Sequence, residues 1–398
     1  MVRVEEADKI IQSQLRDFGT ELIAFEDSLH RVLAEDLFTD RELPPFNRAT
    51  LDGIAIAYHS FENGIRSFRV KGTQAAGDVP IETDNTGECI EIMTGAALPG
   101  STDTVIGYED VDIKDHVATI TKENITSRQG VHAKGKDRSK GELVAQKNRV
   151  ITPPLVSLAA SIGKSKLLVK KVPTVVVISS GDELVEVDAT PSPYQIRRSN
   201  GYTVAASLKS FRIDASLLHI PDDPEITRQR IGECLQQYDV IILSGGISMG
   251  KFDYIPNALN ELSVRQLFYK VQQRPGKPFW FGAHESGATV FALPGNPVST
   301  FMCLYRYVIP WLRACLGLDY LENKFAIMNA DFSFKPALQY FLQVKLSIDP
   351  EGHLSAEPVE GNGSGDFANL LNADAFMELP LERDNFNKGE VFRICTFP

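Results

Sequence analysis

The chain has 398 residues, more than one hydrophobic core accommodates, so we expect roughly two to four domains. Hydrophobic residues make up 43% of the sequence and charged residues 23%, an ordinary balance for a globular protein. The formal net charge of −11 argues against nucleic acid and anionic membranes as the main partners, because both need a basic face.

The N-terminal sequence and the cysteines predict a cytoplasmic protein. MVRVEEADKIIQ has no basic segment leading into an apolar core, so we expect no secretory signal. The most apolar stretch, FMCLYRYVIPWLRACL, contains Arg306 and Arg313 and does not read as a membrane span. The five cysteines are scattered and form no C-x-x-C pair, which favours a reducing compartment and argues against a zinc cluster.

The first half of the chain contains helical and β-type segments. Apolar periodicity predicts helices over residues 4–18, 25–38 and 153–163. The prolines of LPPFNRATLDGIAI predict a loop that leads into a strand. Between residues 54 and 140, short alternating segments separated by Gly, Asp, Asn and Pro predict a small β domain.

The second half begins with alternating strands and helices. PTVVVISS, DASLLHI, DVIILS, VRQLFYKV and ATVFALP are predicted strands, and helices begin near Ser199 or Asn200, Pro224, Tyr254 and Pro297. This order predicts a doubly wound parallel α/β sheet. Short alternating strands follow residue 320 and predict a second small β domain.

The fold class is therefore α/β plus β, in four regions. We expect a helical linker region at 1–53 with 141–172, an inserted β domain at 54–140, a central α/β domain at 173–319 and a small β-barrel-like domain at 320–398.

Ligands of an open α/β sheet lie beyond the carboxyl ends of its strands. The predicted strands are followed in turn by SGDEL, PDDP, GGISMGKFD, RPGKP and GNPVS. Glycine lets the backbone approach a ligand, and the helix after Asn296 adds the positive end of its dipole. Carboxylates beside an anion require a hard cation such as Mg²⁺, which commonly bridges carboxylates to phosphate.

Each of these features also has a structural explanation. A Gly-Gly pair after a strand is often only a turn, and Glu183 is equally well explained as a solvated loop acid. Capping of the following helix is the simplest role for Asp222 or Asp223. Lys277 is harder to explain in this way, because its flanking prolines aim the side chain. The sequence contains no P-loop motif, and the strand exits carry no dinucleotide fingerprint and no Ser-His-Asp set.

The motifs SGDEL, SGGISMGKFDY, RPGKP and LPGNPVS, in this order, resemble those of the molybdopterin molybdenumtransferase family, to which the E domain of gephyrin belongs. Upstream, LPPFNRATLDGIAI resembles the family segment P-x-x-x-x-S-x-M-D-G-Y-A. IMTGAALPGSTDTVI resembles M-T-G-A-x-x-P-x-G-x-D-x-V, and GKDRSKGELV resembles G-x-D-x-x-x-G. The resemblance spans nearly the whole chain.

The resemblance implies an enzyme that inserts molybdate, its substrate, into adenylylated molybdopterin with Mg²⁺-dependent release of AMP. It also implies an elongated cytoplasmic homodimer, in which the linker region serves dimerisation. The site would lie between the molybdopterin-binding α/β domain of one subunit and the inserted β domain of the other. The molybdopterin adenylyltransferase is a further expected partner.

By matched motif, the resemblance implies catalytic roles for Asp52, Glu183, Asp253 and Lys277, with Glu183 and Asp253 as ligands of Mg²⁺. Asp52 would reach the site from the partner subunit. The substrate-binding candidates are Thr94, Asp137, Ser180, Gly181, Asp222, Asp223, Gly245, Gly246, Ser248, Gly250, Arg274, Gly276, Pro294, Gly295, Asn296, Pro297, Ser299 and Ser364.

The sequence departs from the family pattern at three places. Ala49-Thr50-Leu51-Asp52-Gly53-Ile54 stands where the family often has Ser-x-Met-Asp-Gly-Tyr. Arg274 replaces a lysine, which keeps the charge but changes its shape. Gln343 stands where the family usually carries an arginine.

The sequence leaves two alternative functions open. The first is the adenylyltransferase that makes the AMP-linked substrate, which shares the α/β domain but lacks the flanking β domains. The second is a scaffold that has kept dimerisation and lost the chemistry, as in the receptor-anchoring role of gephyrin. Retention of Glu183, Asp253 and Lys277 argues against the scaffold, because a scaffold has no need of them.

Overall fold

A computed structural model describes residues 1–84, 86–247, 254–321 and 323–398. The chain divides into two units. The larger unit comprises residues 1–34, 148–152 and 167–398, and the smaller unit comprises residues 35–147 and 153–166. Over the described ranges, no helix has both the length and the apolar composition needed to cross a membrane.

Most of the helices lie where the sequence predicts them. The last two are joined by a π-helical turn at Leu304–Val308, so the predicted long helix after Asn296 is continuous but locally widened. The helices are α1 (Val4–Gln12), α2 (Tyr58–Glu62), α3 (Pro153–Ser161), α4 (Asn200–Leu208), α5 (Pro224–Gln237), α6 (Ile255–Glu261), α7 (Pro297–Cys303) and α8 (Ile309–Cys315).

The predicted helix over residues 25–38 is wrong. The structure has only a 3₁₀ turn at Phe25–Asp27, after which Val32 bridges Val150 and Leu33 bridges Val169. The apolar residues of this stretch are buried by pairing with extended segments, and such tertiary contacts override a local helical period. The first helix is also shorter than predicted, since it ends at Gln12.

The smaller unit contains the predicted β domain. Its main sheet has six strands in the order β7-β4-β6-β5-β9-β8, and its core includes Ile54, Cys89 and Ile106. β1 (Thr20–Ala24) belongs to the larger unit. The strands of the smaller unit are β2 (Leu37–Phe38), β3 (Arg48–Ala49), β4 (Gly53–Ile56), β5 (Ser67–Gln74), β6 (Glu88–Ile92), β7 (Thr104–Gly107), β8 (Val111–Lys114), β9 (Val117–Ile120), β10 (Val131–His132) and β11 (Leu143–Ala145).

The larger unit contains the α/β sheet. Its six strands lie in the order β16-β13-β17-β21-β20-β18. The strands of this region are β12 (Lys166–Lys170), β13 (Val175–Ser180), β14 (Leu184–Val185), β15 (Ile196–Arg197), β16 (Ser216–Ile220), β17 (Val240–Ser244), β18 (Arg265–Tyr269), β19 (Gln273–Arg274), β20 (Trp280–Ala283) and β21 (Thr289–Leu293).

The sheet is parallel except at one strand. β13, β16, β17 and β21 are parallel, as predicted, but β20 pairs antiparallel with both β18 and β21. The apolar patterns of the sequence do not predict β20. A short connection suffices for an antiparallel return, whereas a parallel neighbour would need a crossover.

Helices cover both faces of this sheet. Val175 and Val177 of β13 belong to a core that includes residues of α1, α4, α7 and α8. Val176 and Ile178 belong to a second core with residues of α5 and α6. Alternate side chains of a strand point to opposite faces, so the two cores lie on opposite sides of the sheet, as the doubly wound prediction requires.

The C-terminal region forms a closed barrel. β24, β25, β22, β28 and β26 pair in sequence, and β24 also pairs with β26, which closes the ring. Outside the ring, β19 pairs with β24 and ties the RPGKP segment to the barrel. The strands are β22 (Phe325–Met328), β23 (Phe332–Ser333), β24 (Gln339–Ile348), β25 (Leu354–Pro358), β26 (Ala375–Leu379), β27 (Asn385–Phe386) and β28 (Val391–Thr396).

A buried ion cluster joins the N-terminal helix, the π-helical turn and the barrel. The guanidinium of Arg306 donates two 2.8 Å hydrogen bonds to Asp8 and one of 2.8 Å to Glu378, and its side chain is only 3% exposed. Burial on its own lowers the pKa of Arg306, but Glu378 and Asp8 outweigh it and raise that pKa well above its usual range. The guanidinium of Arg306 is therefore charged at neutral pH and is hydrogen-bonded to both carboxylates.

We predict that Arg306→Met lowers the free energy of unfolding by about 3–5 kcal/mol, because two buried carboxylates lose their cation. Urea denaturation at pH 7 measures the change. A triple variant with Asp8→Asn, Glu378→Gln and Arg306→Met removes every charge together and should lose less stability than Arg306→Met alone.

The control for this prediction is Arg383→Met. Arg383 pairs with Glu390 on the barrel, and both side chains are partly exposed. Exposed pairs contribute about 0–1 kcal/mol, so this variant should stay close to the parent protein. An Arg306→Met protein with the parental urea midpoint would show that the cluster does not hold these elements together.

Candidate functional site

We call the segment that follows the carboxyl end of a strand its exit. The exit of β13 contains Glu183. Gly181 follows β13 with a φ of 140°. A Cβ atom added to Gly181 would lie 2.7 Å from Oε1 of Glu183, so the exposed carboxylate folds back over the end of β13. Ser180, the last residue of the strand, is buried beside it.

The two aspartates after β16 have different contacts. Asp223 accepts a 2.8 Å hydrogen bond from the N–H of Ile226 and caps α5, so the capping explanation is confirmed for Asp223. Asp222 instead accepts a 3.4 Å hydrogen bond from the hydroxyl of Ser180, and its own N–H donates to Asp182 at 3.1 Å. Asp222 therefore joins the second exit to the first.

The glycines after β17 are required by close packing. Gly245 has a φ of 94°, and a Cβ atom added there would lie 2.9 Å from the carbonyl oxygen of Ser180. Gly246 follows, also with positive φ. Any other residue at position 245 would push the third exit away from the first. The predicted residues Ser248, Gly250 and Asp253 lie outside the described residues.

The exit after β21 is joined to the barrel. Asn296 precedes α7, and its side-chain amide donates a 2.9 Å hydrogen bond to the hydroxyl of Ser364. The N–H of Val298 donates to the carbonyl of Ser364 at 3.1 Å. Pro294 and Ser299 are buried, whereas Gly295 is exposed. The barrel loop that carries Ser364 thus lies against the first turn of α7.

Asn200 is a positioning residue, although the sequence pattern indicates only the start of a helix there. Its amide donates to the hydroxyl of Ser244 at 2.9 Å, to the carbonyl of Gly295 at 2.8 Å and to the hydroxyl of Thr300 at 3.2 Å. It therefore joins the end of β17 to the β21 exit. Its place at the start of a helix in the α/β region was the available signal, but its partners Ser244, Gly295 and Thr300 are 44, 95 and 100 residues away in the chain.

The RPGKP segment is held in place by the buried side chain of Gln273. The amide of Gln273 donates a 3.0 Å hydrogen bond to the carbonyl of Gly276, and its oxygen accepts from the hydroxyl of Tyr307. Gly276 has a φ of 85°, and an added Cβ would lie 2.6 Å from Sγ of Cys303. The segment is held so that the side chains of Arg274 and Lys277 are exposed.

Two adjoining cavities lie along these exits. We call the first the barrel cleft; it has a volume of about 440 Å³ and lies between the α/β sheet and the barrel. We call the second the sheet-edge cavity, of about 770 Å³. Both are lined by Gly295 and Asn296.

The two cavities bring most of the predicted residues of the larger unit together. Of these residues, the barrel cleft is lined by Arg274, Gly276, Lys277, Pro294, Gly295, Asn296, Ser299 and Ser364, with Gln343 beside them. The sheet-edge cavity is lined by Ser180, Glu183, Gly245, Gly295, Asn296 and Pro297.

The smaller unit contains the remaining candidates. Oδ1 of Asp52 accepts hydrogen bonds from the backbone N–H of Thr94 at 2.6 Å and from its hydroxyl at 2.8 Å. The N–H and then the hydroxyl are the main causes of a lowered pKa of Asp52, which therefore stays ionised. Asp137 contacts Nε2 of His132 at 2.8 Å.

The donor set fits Mg²⁺ only with help from a ligand. Among the described residues, no group of three His, Cys, Asp or Glu side chains converges on one point. Magnesium is commonly bound by one or two carboxylates together with water and substrate phosphates. Glu183 offers one exposed carboxylate at the sheet-edge cavity, and Asp253 lies outside the described residues.

Comparison with known proteins covers nearly the whole chain. Residues 2–163 match the family description "MoeA N-terminal region (domain I and II)", residues 176–314 match "Probable molybdopterin binding domain", and residues 326–397 match "MoeA C-terminal region (domain IV)". The matches on both sides of the α/β domain argue against the adenylyltransferase alternative, which lacks such regions.

Individual relatives agree with these matches. A molybdopterin molybdenumtransferase of Synechocystis is 38% identical over 98% of this chain and 99% of its own, and one of Staphylococcus epidermidis is 30% identical over 98% and 94%. A crystal structure of a molybdopterin biosynthesis protein from Pyrococcus horikoshii is 30% identical, with a TM-score of 0.84 over 100% of this chain and 99% of its own. The chain therefore belongs to the molybdopterin molybdenumtransferase family, the transferases of molybdenum cofactor biosynthesis.

Proposed function

We propose that the chain inserts molybdate into adenylylated molybdopterin and releases AMP in a Mg²⁺-dependent reaction. The observation that carries the proposal is the meeting of the β13, β17 and β21 exits around the two adjoining cavities. A substrate with a pterin, phosphates and a nucleoside needs more room than one small pocket, and two adjoining cavities that share Gly295 and Asn296 on their linings provide it.

The barrel cleft has the charge that an oxyanion requires. Arg274 and Lys277 are both exposed on its lining, and neither is paired with an acid of the described chain. Fixed cations lower the cost of negative charge that develops during transfer of a phosphorus-bound group. We assign molybdate or a substrate phosphate to this pair of side chains.

The sheet-edge cavity is lined by the carboxylate proposed to bind the metal ion, that of Glu183. Glu183 would hold Mg²⁺ there, with Asp253 as its proposed second protein ligand, and the ion would neutralise phosphate oxygens of the substrate. The glycine turn at Gly245 would place backbone beside the ligand, and Asn200 would keep that turn against the β21 exit. Each of these residues binds or positions, which is the main task in phosphoryl chemistry.

The proposal includes a homodimer with shared sites. Asp52 and Thr94 belong to the smaller unit and would complete the site of the partner subunit, in which Asp52 would act as an anion. We further propose a cytoplasmic location, and we propose the molybdopterin adenylyltransferase as the partner that supplies the substrate.

We predict that Glu183→Gln lowers AMP release by about a hundredfold or more, because it removes the carboxylate proposed to hold the ion. The measurement is AMP formed from adenylylated molybdopterin with molybdate and Mg²⁺. The control is Asp188→Asn, which removes an exposed acid that lies beyond β14 in the chain. Unchanged turnover in Glu183→Gln would remove Glu183 from the mechanism, and no turnover in the unaltered chain would favour the scaffold alternative.

A second prediction tests the shared site. Asp52→Asn and Lys277→Ala should each be inactive as pure proteins. When the two variants are co-expressed and dimerise at random, mixed dimers contain one intact site, so about a quarter of the parental activity should return. Recovery requires Asp52 and Lys277 to act across subunits. If the activity of the mixed population does not exceed that of the pure variants, the proposed site shared between two subunits is contradicted.

The Asp52–Thr94 contact gives a pH prediction. The pKa of Asp52 should lie below the usual range for aspartate, and Thr94→Val should raise it only partway, because the backbone N–H remains. The stability that Asp52 contributes is then present above its unfolded pKa and is lost as the pH falls through the lower folded pKa.

Carboxyl ¹³C NMR titration measures both effects. Asp84 provides an internal control, because the N–H groups of Thr86 and Gly87 lower its pKa and Thr94→Val leaves them unchanged. A titration midpoint of Asp52 that does not respond to Thr94→Val would show that the hydroxyl does not stabilise the ionised form.

A further inference from the structure

Arg198 is a mostly buried cation on the lining of the sheet-edge cavity. It follows β15, and its side chain is 11% exposed. Nη2 of its guanidinium forms an ion pair with the carboxylate of Glu186, whose side chain is 57% exposed. An arginine that only covered the surface would keep its charged group in water, so the burial of this one needs an explanation.

The guanidinium of Arg198 is not fully satisfied by Glu186. Its Nε is buried, and it is one of two buried side-chain atoms of the described residues without a hydrogen-bond partner; the other is Nε of Arg31. A buried donor without an acceptor costs free energy, and native structures keep few of them. The planar guanidinium carries five donors in a fork that matches the oxygens of a phosphate group.

The start of α4 also suits an anion, on the same side of the sheet-edge cavity as Arg198. Ser199 and Asn200 line the cavity directly after Arg198, and Ser199 makes no side-chain cap for the helix. The N-terminus of a helix carries partial positive charge and N–H groups suited to an anion. Gly201 allows a close approach to β13, because an added Cβ would lie 3.2 Å from Oγ of Ser179.

The balance of charge and polarity indicates the kind of ligand. The charged side chains on the lining are Arg197, Arg198 and Glu183, so cations exceed acids by one. Apolar side chains, among them Ile196 and Phe367, lie on the same lining. A cavity that combines an anion-binding wall with apolar surface suits a phosphate ester joined to a planar ring.

We propose that Arg198 is a phosphate-binding residue of the sheet-edge cavity and that Glu186 holds its guanidinium ready until the phosphate ester replaces the carboxylate. This inference rests on the proposed function, since the phosphate ester would be the adenylyl half of the substrate or the AMP product. Glu186 is then a positioning residue, and Arg198 is the group that touches the ligand.

The experiment compares AMP with adenosine, which lacks the phosphate, by isothermal titration calorimetry. Arg198→Gln should weaken AMP binding by about tenfold to a hundredfold, the usual effect of losing a hydrogen bond to a charged group. Adenosine binding should change little. Arg198→Lys, which keeps the charge but not the fork, should fall between the parent and Arg198→Gln.

Two further variants test the effect of charge alone and the role of Glu186. Arg228→Gln removes the same charge from an exposed pair with Glu225 on α5 and should leave AMP binding unchanged. Glu186→Gln frees Arg198 and should leave AMP binding equal or tighter. Weaker AMP binding in Glu186→Gln would overturn the proposal that the phosphate ester replaces the carboxylate of Glu186.

The outcomes separate this inference from the proposed function. If the unaltered chain binds AMP and Arg198→Gln binds it equally well, or loses AMP and adenosine in parallel, the role of Arg198 is overturned while the proposed function stands. If Arg198→Gln does not fold, an Arg198→Lys protein with parental AMP affinity overturns it. An unaltered chain that binds no AMP in the presence of Mg²⁺ removes both.

Discussion

The guanidinium of Arg306 lies between Asp8 and Glu378 with almost no exposure, and a buried charge persists only where its partners are held in place. Because the two acids come from α1 and β26, this requirement fixes the barrel against the helix that begins at the β21 exit. The pairing of β19 with β24 and the contact of Asn296 with Ser364 add further links between the same parts. The barrel cleft exists because these parts are held together.

The sequence was sufficient for the elements that depend on local signals. Apolar runs that end in glycine or proline located four parallel strands and their exits, and Asp223 before Pro224 is a recognisable helix start. Local signals failed where tertiary pairing decides the structure. The stretch at 25–38 has a helical period but forms bridges, and β20 was missed because its short apolar segment is not distinguished from the adjoining turn.

The candidate site shows the same division. Its motifs could be found from order and composition, yet the contacts that position it join residues far apart in the chain. Asn200 lies 95 residues from Gly295, and Arg306 lies 298 residues from Asp8. No periodicity encodes such pairs. The burial of Arg198 was likewise invisible in the sequence, because a charged residue in a loop is normally exposed.

Gly295 and Asn296 form a partition with a compartment on either side, since the same two residues line both cavities. A long ligand that occupies both compartments must cross this partition. A substitution at Asn296 therefore alters two openings at once and also breaks the link to Ser364. The kinetics of such a variant would mix two binding events, so residues exclusive to one compartment, such as Lys277 or Glu183, are the ones that can report on either alone.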